Sequence, residues 1–425
     1  MIPQPDKTPG DISWFLEARF GMFIHWGTYA AAARHEWVKK IEQIPDEEYH
    51  KYFDHFDPDL YNPEIWAKEA ANAGMKYMVV TSKHHEGFCM WDSALTDYKA
   101  PNTPAKKDLL KPMLDAFRKK GLRVGTYHSL LDWHHPEYPI DGIHPMHANK
   151  ELREQEKDRD VRKYAAYLHG QVKELLTDYG PLSVMWFDFS YSDLKDGGKG
   201  KNEWQSEKLI KMIRKIAPKI LINDRLEIPQ DFITPEQEQP RKWPTGGQWA
   251  EDKSKPVYWE ACQTVNESWG YFRNNADKWK SVDFLVKLLI DTVSKGGNLL
   301  LNVGPNARGE LEPNAIERLR GIGEWMHLHD NSIYGCGPSE IPTPQDCRLT
   351  QKGNRLYVHM FSYPPFVLNI DGLTAEKVEY AQFLNDASEL KFNTEKRKGE
   401  KAYLKIHLPV QAPPVTVPVI ELFLK

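Results

Sequence analysis

The stretch Tyr77-Met78-Val79-Val80-Thr81-Ser82-Lys83-His84-His85 decides the fold. It opens as an unbroken apolar run and ends in polar, titratable residues. A run without polar alternation suits a strand buried on both faces of a parallel sheet. Just upstream, Asn62 can cap a helix, Pro63 suits its first turn and Gly74 its exit. The same cycle recurs outward in both directions. Gly21-Met22-Phe23-Ile24 ends in His25, and a helix from Leu109 to Lys120 leads to Arg123-Val124-Gly125-Thr126-Tyr127. A long helix is predicted over 151–179, ahead of Val184-Met185-Trp186-Phe187-Asp188. Ile220-Leu221-Ile222 runs into Asn223-Asp224-Arg225. Val257-Tyr258-Trp259-Glu260 is a weaker strand candidate, and Leu299-Leu300-Leu301-Asn302-Val303 is the last clear one. Val282, Val286, Leu289 and Val293 share one helical face before it, and Ile316, Leu319, Gly323 and Met326 line another after it.

Strand and helix alternating this often imply an α/β fold, either a closed barrel or a doubly wound sheet. Seven strands are legible, so an eighth is hidden or degenerate. The strands end in His25, His84-His85, Tyr127, Asp188, Arg225, Glu260 and Asn302. A barrel collects all such ends on one rim, whereas a doubly wound sheet concentrates them at one crevice. The expectation is therefore a (β/α)8-like, TIM-type barrel over 1–335. From about 345 the pattern changes to period two. Leu356, Val358 and Met360 alternate with Tyr357 and His359, and Leu404, Ile406 and Leu408 with Lys405 and His407. This predicts a C-terminal antiparallel β-sandwich over 336–425.

With 425 residues the chain has room for both units. A net charge of −4 without a Lys/Arg block gives no sign of nucleic acid or of a membrane surface as partner. Cys89, Cys262, Cys336 and Cys347 are scattered, which reads as free thiols. The N-terminal stretch lacks the pattern of a signal peptide, so the expected location is cytoplasmic. Homo-oligomerisation is left open.

Several positions can carry chemistry. Asp188 is the only charge in a hydrophobic strand and sits at its C-terminal end, where it either caps the next loop or acts as nucleophile or base. His84 and His85 can bind hydroxyls, since a neutral imidazole both donates and accepts. Purely structural histidines and metal binding are the rival readings, but there is no HExxH helix or Cys pair, so no metal is expected. Arg225 is either a structural ion-pair partner or a contact to a carboxylate or ligand. The polar, proline-broken stretch 226–250 reads as a long loop; a carboxylate on it can meet Asp188 across a pocket, but a solvated acidic loop is the better reading of these residues alone. Gly197-Gly198-Lys199-Gly200-Lys201 imitates a phosphate loop but lacks the following Ser/Thr, and reads as a flexible rim loop.

Ordered together, these pieces resemble the α-L-fucosidases of glycoside hydrolase family 29. The resemblance runs from about Trp14 to Gly335 and rests on a series of segments in order. They are Phe20-Gly21-Met22-Phe23-Ile24-His25-Trp26-Gly27, His35-Glu36-Trp37, Lys83-His84-His85-Glu86-Gly87-Phe88, Tyr127-His128-Ser129, Trp186-Phe187-Asp188, Asn223-Asp224-Arg225 and Ser294 to Asn302. It implies a barrel with a C-terminal β-sandwich and cofactor-free hydrolysis of terminal α-L-fucosides with retention. Two carboxylates would act through a fucosyl-enzyme, and transfucosylation would be a side reaction. By the same resemblance Asp188 is the nucleophile and Glu236 the acid/base, with Glu238 as its competitor. His25, Glu36, Trp37, His84, His85, Tyr127, Trp186, Arg225 and Trp269 bind substrate. Phe189 departs from the small residue that many members carry there. The implied partners are fucosylated glycans or small α-L-fucosides. The alternatives are a same-fold glycosidase of another sugar specificity, a metal-dependent barrel hydrolase, and a non-catalytic fucose-binding module.

Overall fold

The computed structural model describes residues 5–246, 254–274, 278–396, 399 and 401–425. Seven parallel strands form its first sheet: β1 (Phe20–Ile24), β2 (Tyr77–Lys83), β3 (Arg123–Ser129), β4 (Val184–Asp188), β5 (Leu221–Ile222), β6 (Glu260–Thr264) and β7 (Asn298–Val303). They are ordered β5-β4-β3-β2-β1-β7-β6. Chain order thus runs around the sheet, leaving β5 and β6 as its two edges. The inward column reads Phe23 on β1, Tyr77 and Val79 on β2, Tyr127 on β3, Val184 and Trp186 on β4, and Cys262 on β6. These residues make one apolar cluster inside the sheet. Met22, Met78, Val80, Met185 and Phe187 belong instead to the larger cluster under the helices. Both faces of each strand are buried, which is why the runs read as continuously apolar.

The eighth stave lies where a loop was predicted. Residues 231–237 pass between β5 and β6 through single parallel bridges, Asn223 with Phe232, Ile233 with Trp259 and Glu236 with Cys262. The amides of Asp231 and Gln237 donate to the carbonyls of Ile222 and Cys262, at 3.0 Å each. Pro229 and Pro235 remove ladder donors, so no regular strand forms. Phe232 nevertheless packs inward with the barrel core, as one residue in two of a strand would. Of the stretch 226–250, positions 247–250 lie outside the described residues.

Two other predictions are corrected. The helix over 151–179 is two, Lys150–Gln155 and Val161–Asp178, because the Asp160 side chain caps a fresh start by accepting from the Arg162 amide. The sixth strand begins at Glu260 rather than ending there. Glu260 therefore sits inside the barrel, not on its rim.

Seven antiparallel strands follow: β8 (Cys347–Lys352), β9 (Arg355–Met360), β10 (Val367–Asp371), β11 (Val378–Phe383), β12 (Phe392–Glu395), β13 (Tyr403–His407) and β14 (Val419–Leu424). They form sheets β10-β13-β12 and β11-β14-β9-β8 around a shared apolar core. Trp325, on the helix Pro313–His329, donates through its indole to the Val417 carbonyl at 2.9 Å. Tyr357, Val417 and Val419 join the barrel's outer core.

Candidate active site

At the C-terminal ends of the barrel strands a small cavity of about 70 Å³ is lined by Phe23, His25, Trp37, His84, His85, Tyr127, Trp186, Asp188, Phe189, Glu236, Cys262 and Trp269. The alternation of each strand brings these side chains in, since residues two apart share a face (Phe23 with His25, Trp186 with Asp188).

Asp188 ends β4 and is held by one hydrogen bond and one ion pair. The Tyr127 hydroxyl donates to its Oδ2 at 2.8 Å, and Arg225 Nη1 lies 3.5 Å from its Oδ1. His85 Nε2 stands 3.9 Å from Oδ2. Burial, then the charge of Asp188, pushes the Tyr127 phenol well above its ordinary value, so it stays a donor. Arg225 also reaches Glu236, with Nη2 at 3.3 Å from Oε2. Its Nε donates to Thr234 Oγ1 at 3.0 Å and its guanidinium lies 5.5 Å from the centre of the Trp186 ring. One cation thus bridges both carboxyl groups. Glu236 is raised above the usual glutamate range, first by burial and then by the charge of Asp188, while Arg225 opposes the rise. A carboxyl group raised above its usual range beside a second carboxyl group is an electrostatic arrangement that suits an acid beside a nucleophile.

The histidines form the opposite wall. Burial, more than any neighbour, drives His25 and His85 well below their usual values, so both are neutral. His84 stacks on Tyr127 at 5.6 Å, and Tyr127 on Trp186 at 5.6 Å. Trp37 meets His85 edge-on at 5.0 Å and Phe189 at 5.2 Å. Phe189 holds a φ of 78°, a left-handed conformation that an aromatic residue adopts at a cost.

Two predicted site residues stand behind the wall. Arg225 lies between the carboxyl groups. Glu36 is buried, accepting from the Gly270 amide at 2.8 Å and so fixing the turn beside Trp269. Glu238 is exposed and does not line the cavity. Sequence reasoning missed Phe23 and Cys262, although Phe23 stands two residues before His25 on an inward face. The predicted flexible loop is pinned. Lys199 is buried and ion-paired with Asp141, which also accepts from the Tyr191 hydroxyl at 2.7 Å. Among the described residues no group of three His, Cys, Asp or Glu side chains could hold a metal ion, and no helix is long and apolar enough to cross a membrane.

Residues 6–331 match the family described as Alpha-L-fucosidase. The tissue α-L-fucosidase of Macaca fascicularis is 30% identical over 441 residues, covering 96% of this chain and 86% of that protein. The solved structure of α-L-fucosidase isoenzyme 1 from Paenibacillus thiaminolyticus is 46% identical. It superposes with a TM-score of 0.90, covering 97% of this chain and 98% of that one. A Bacteroides thetaiotaomicron α-L-fucosidase, trapped as a covalent intermediate with 2-fluoro-fucosyl fluoride in a glutamate-to-glutamine mutant, is 26% identical with a TM-score of 0.83. That match covers 100% of this chain and 98% of the other.

Proposed function

The chain belongs to the α-L-fucosidase family, and from that premise we propose that Asp188 and Glu236 carry its reaction. The enzyme hydrolyses terminal α-L-fucosides with retention of configuration. Asp188 attacks the anomeric carbon while Glu236 gives its proton to the departing oxygen. The fucosyl ester on Asp188 then yields to water, which Glu236 deprotonates, and fucose leaves as Asp188 is regenerated. An acceptor alcohol in place of water gives transfucosylation.

The single observation that carries the assignment is the Arg225 bridge, 3.5 Å to Asp188 and 3.3 Å to Glu236. It supports two carboxyl groups facing one cavity, as a retaining pair separated by about 5–5.5 Å requires. His25, His84, His85 and Trp37 bind the sugar hydroxyls, and Phe189 with Trp269 receives the methyl group. Fucosylated glycans and small α-L-fucosides are the substrates. The four unpaired thiols support work in a reducing compartment.

Asp188→Gly should lose several orders of magnitude in kcat, and azide should restore turnover as the β-fucosyl azide. Ordinary activity in that variant ends the assignment. Glu236→Ala should lose about 10²–10⁴-fold on natural glycosides and far less on aryl fucosides with good leaving groups. Equal losses on both would move the acid to Glu238 or elsewhere.

A further inference from the structure

Two of the three cavity histidines, His25 and His85, are held at Nδ1 by a group that fixes which nitrogen carries the proton. His25 Nδ1 lies 2.7 Å from Asn302 Oδ1. The Asn302 amide nitrogen donates to the Trp269 carbonyl, so Oδ1 is oriented to accept, and the proton is on His25 Nδ1. His85 Nδ1 lies 2.7 Å from Ser129 Oγ. That hydroxyl already gives its only proton to the Leu131 carbonyl at 2.9 Å, so it accepts from His85. Both rings therefore turn an Nε2 lone pair to the cavity.

His84 has no such hydrogen bond. Its Nδ1 is buried without a partner and faces Glu86 Oε2 at 3.6 Å. Glu86 is itself buried, and neither of its oxygens has a hydrogen-bond partner among the described residues. A buried carboxylate is costly unless a donor meets it. The phenols of Tyr29, Tyr49 and Tyr98 surround it. Each is pushed well above its ordinary value, by burial first and next by the charge of Glu86, so none competes as an anion. The turn that aims Glu86 inward is fixed by Gly87 at a φ of 88°, where a Cβ would collide with Asp132 Oδ1. Asp132 is held in turn by the buried Lys83 at 3.0 Å.

We propose that Glu86 is a positioning residue of the active site, keeping the proton of His84 on Nδ1 so that its Nε2 enters the cavity as a hydrogen-bond acceptor. The inference rests on the reading that this cavity binds a fucosyl unit. All three histidines then accept, and the sugar hydroxyls that meet them must donate.

Side-chain ¹⁵N spectra of histidine-labelled enzyme read the tautomer directly. His25, His84 and His85 should each show a protonated Nδ1 and a bare Nε2. In Glu86→Leu the His84 signal alone should move toward the Nε2–H form, with kcat/KM for an aryl α-L-fucoside falling about tenfold. Glu86→Gln, whose amide oxygen still accepts, should keep both the tautomer and most of the activity, and it serves if the leucine variant does not fold. A proton on His84 Nε2 in the parent enzyme overturns the proposal. So does a Glu86→Leu enzyme that loses activity with the His84 tautomer unchanged. If His84→Ala leaves fucoside hydrolysis intact, the fucosyl-binding reading fails instead, whatever the tautomer.

Discussion

Arg225 decides the balance between the two carboxyl groups. Its charge lowers Glu236, while burial and Asp188 raise it and win. Arg225→Met should therefore raise Glu236 further. Because the acid role proposed for Glu236 requires its protonated form, the alkaline limb of the kcat/KM profile should move to higher pH. The rate should fall on the order of 100-fold, as for loss of one preorganised electrostatic group. A limb that stays put or moves down would assign it to another residue. At this scale the site was legible unevenly. Asp188 stood out as the one charge on an apolar strand, and its neighbours His84 and His85 as strand-end imidazoles. Glu36 gave no sign of its post behind Trp269, since a buried acceptor for a distant backbone amide leaves no local pattern. Cys262 was unreadable for a similar reason, because Ala261-Cys262-Gln263-Thr264 lacks the apolar run that marks a strand.

Among the elements, β6 shows what pattern reading misses. Its first residue, Glu260, was taken for a rim group. It lies instead in the barrel core, accepting from the Tyr77 hydroxyl and from the Trp186 indole, the latter at 3.1 Å. Burial pushes it from 4.5 up to about 7. Between those values the folded chain holds a proton that the unfolded chain has released. Stability thus falls as pH rises from 4.5 through about 7 and levels off above. Glu260→Gln lacks this slope. The variant should gain on the parent across that window, by up to about 3 kcal/mol, in urea unfolding at stepped pH. A constant difference would show that Glu260 is ionised in the fold. The strands themselves were legible because both faces are apolar. The helix break before Asp160 was not, since the flanking charged residues suit helix and turn alike.

For the whole molecule, the barrel and the sandwich share apolar packing through Trp325, Tyr357, Val417 and Val419. Arg348 and Lys352 on β8 pair back to Asp291 at 2.6 Å and Glu17 at 2.7 Å. Calorimetry should accordingly record one unfolding transition. Trp325→Ala, which empties the junction, should cost about 3–5 kcal/mol and lower that transition as a unit. Two resolved transitions in the parent chain would contradict this coupling. A different constraint follows from residues 231–237, which complete the cylinder and also carry Glu236, the proposed proton donor. Length there is locked twice over. An added residue between Ile233 and Gln237 would slide Glu236 off Arg225 and unseat its neighbours from β6 in the same stroke. Insertions are thus expected to be tolerated only at the flanks, before Asp231 or after Gln237, and not inside the segment.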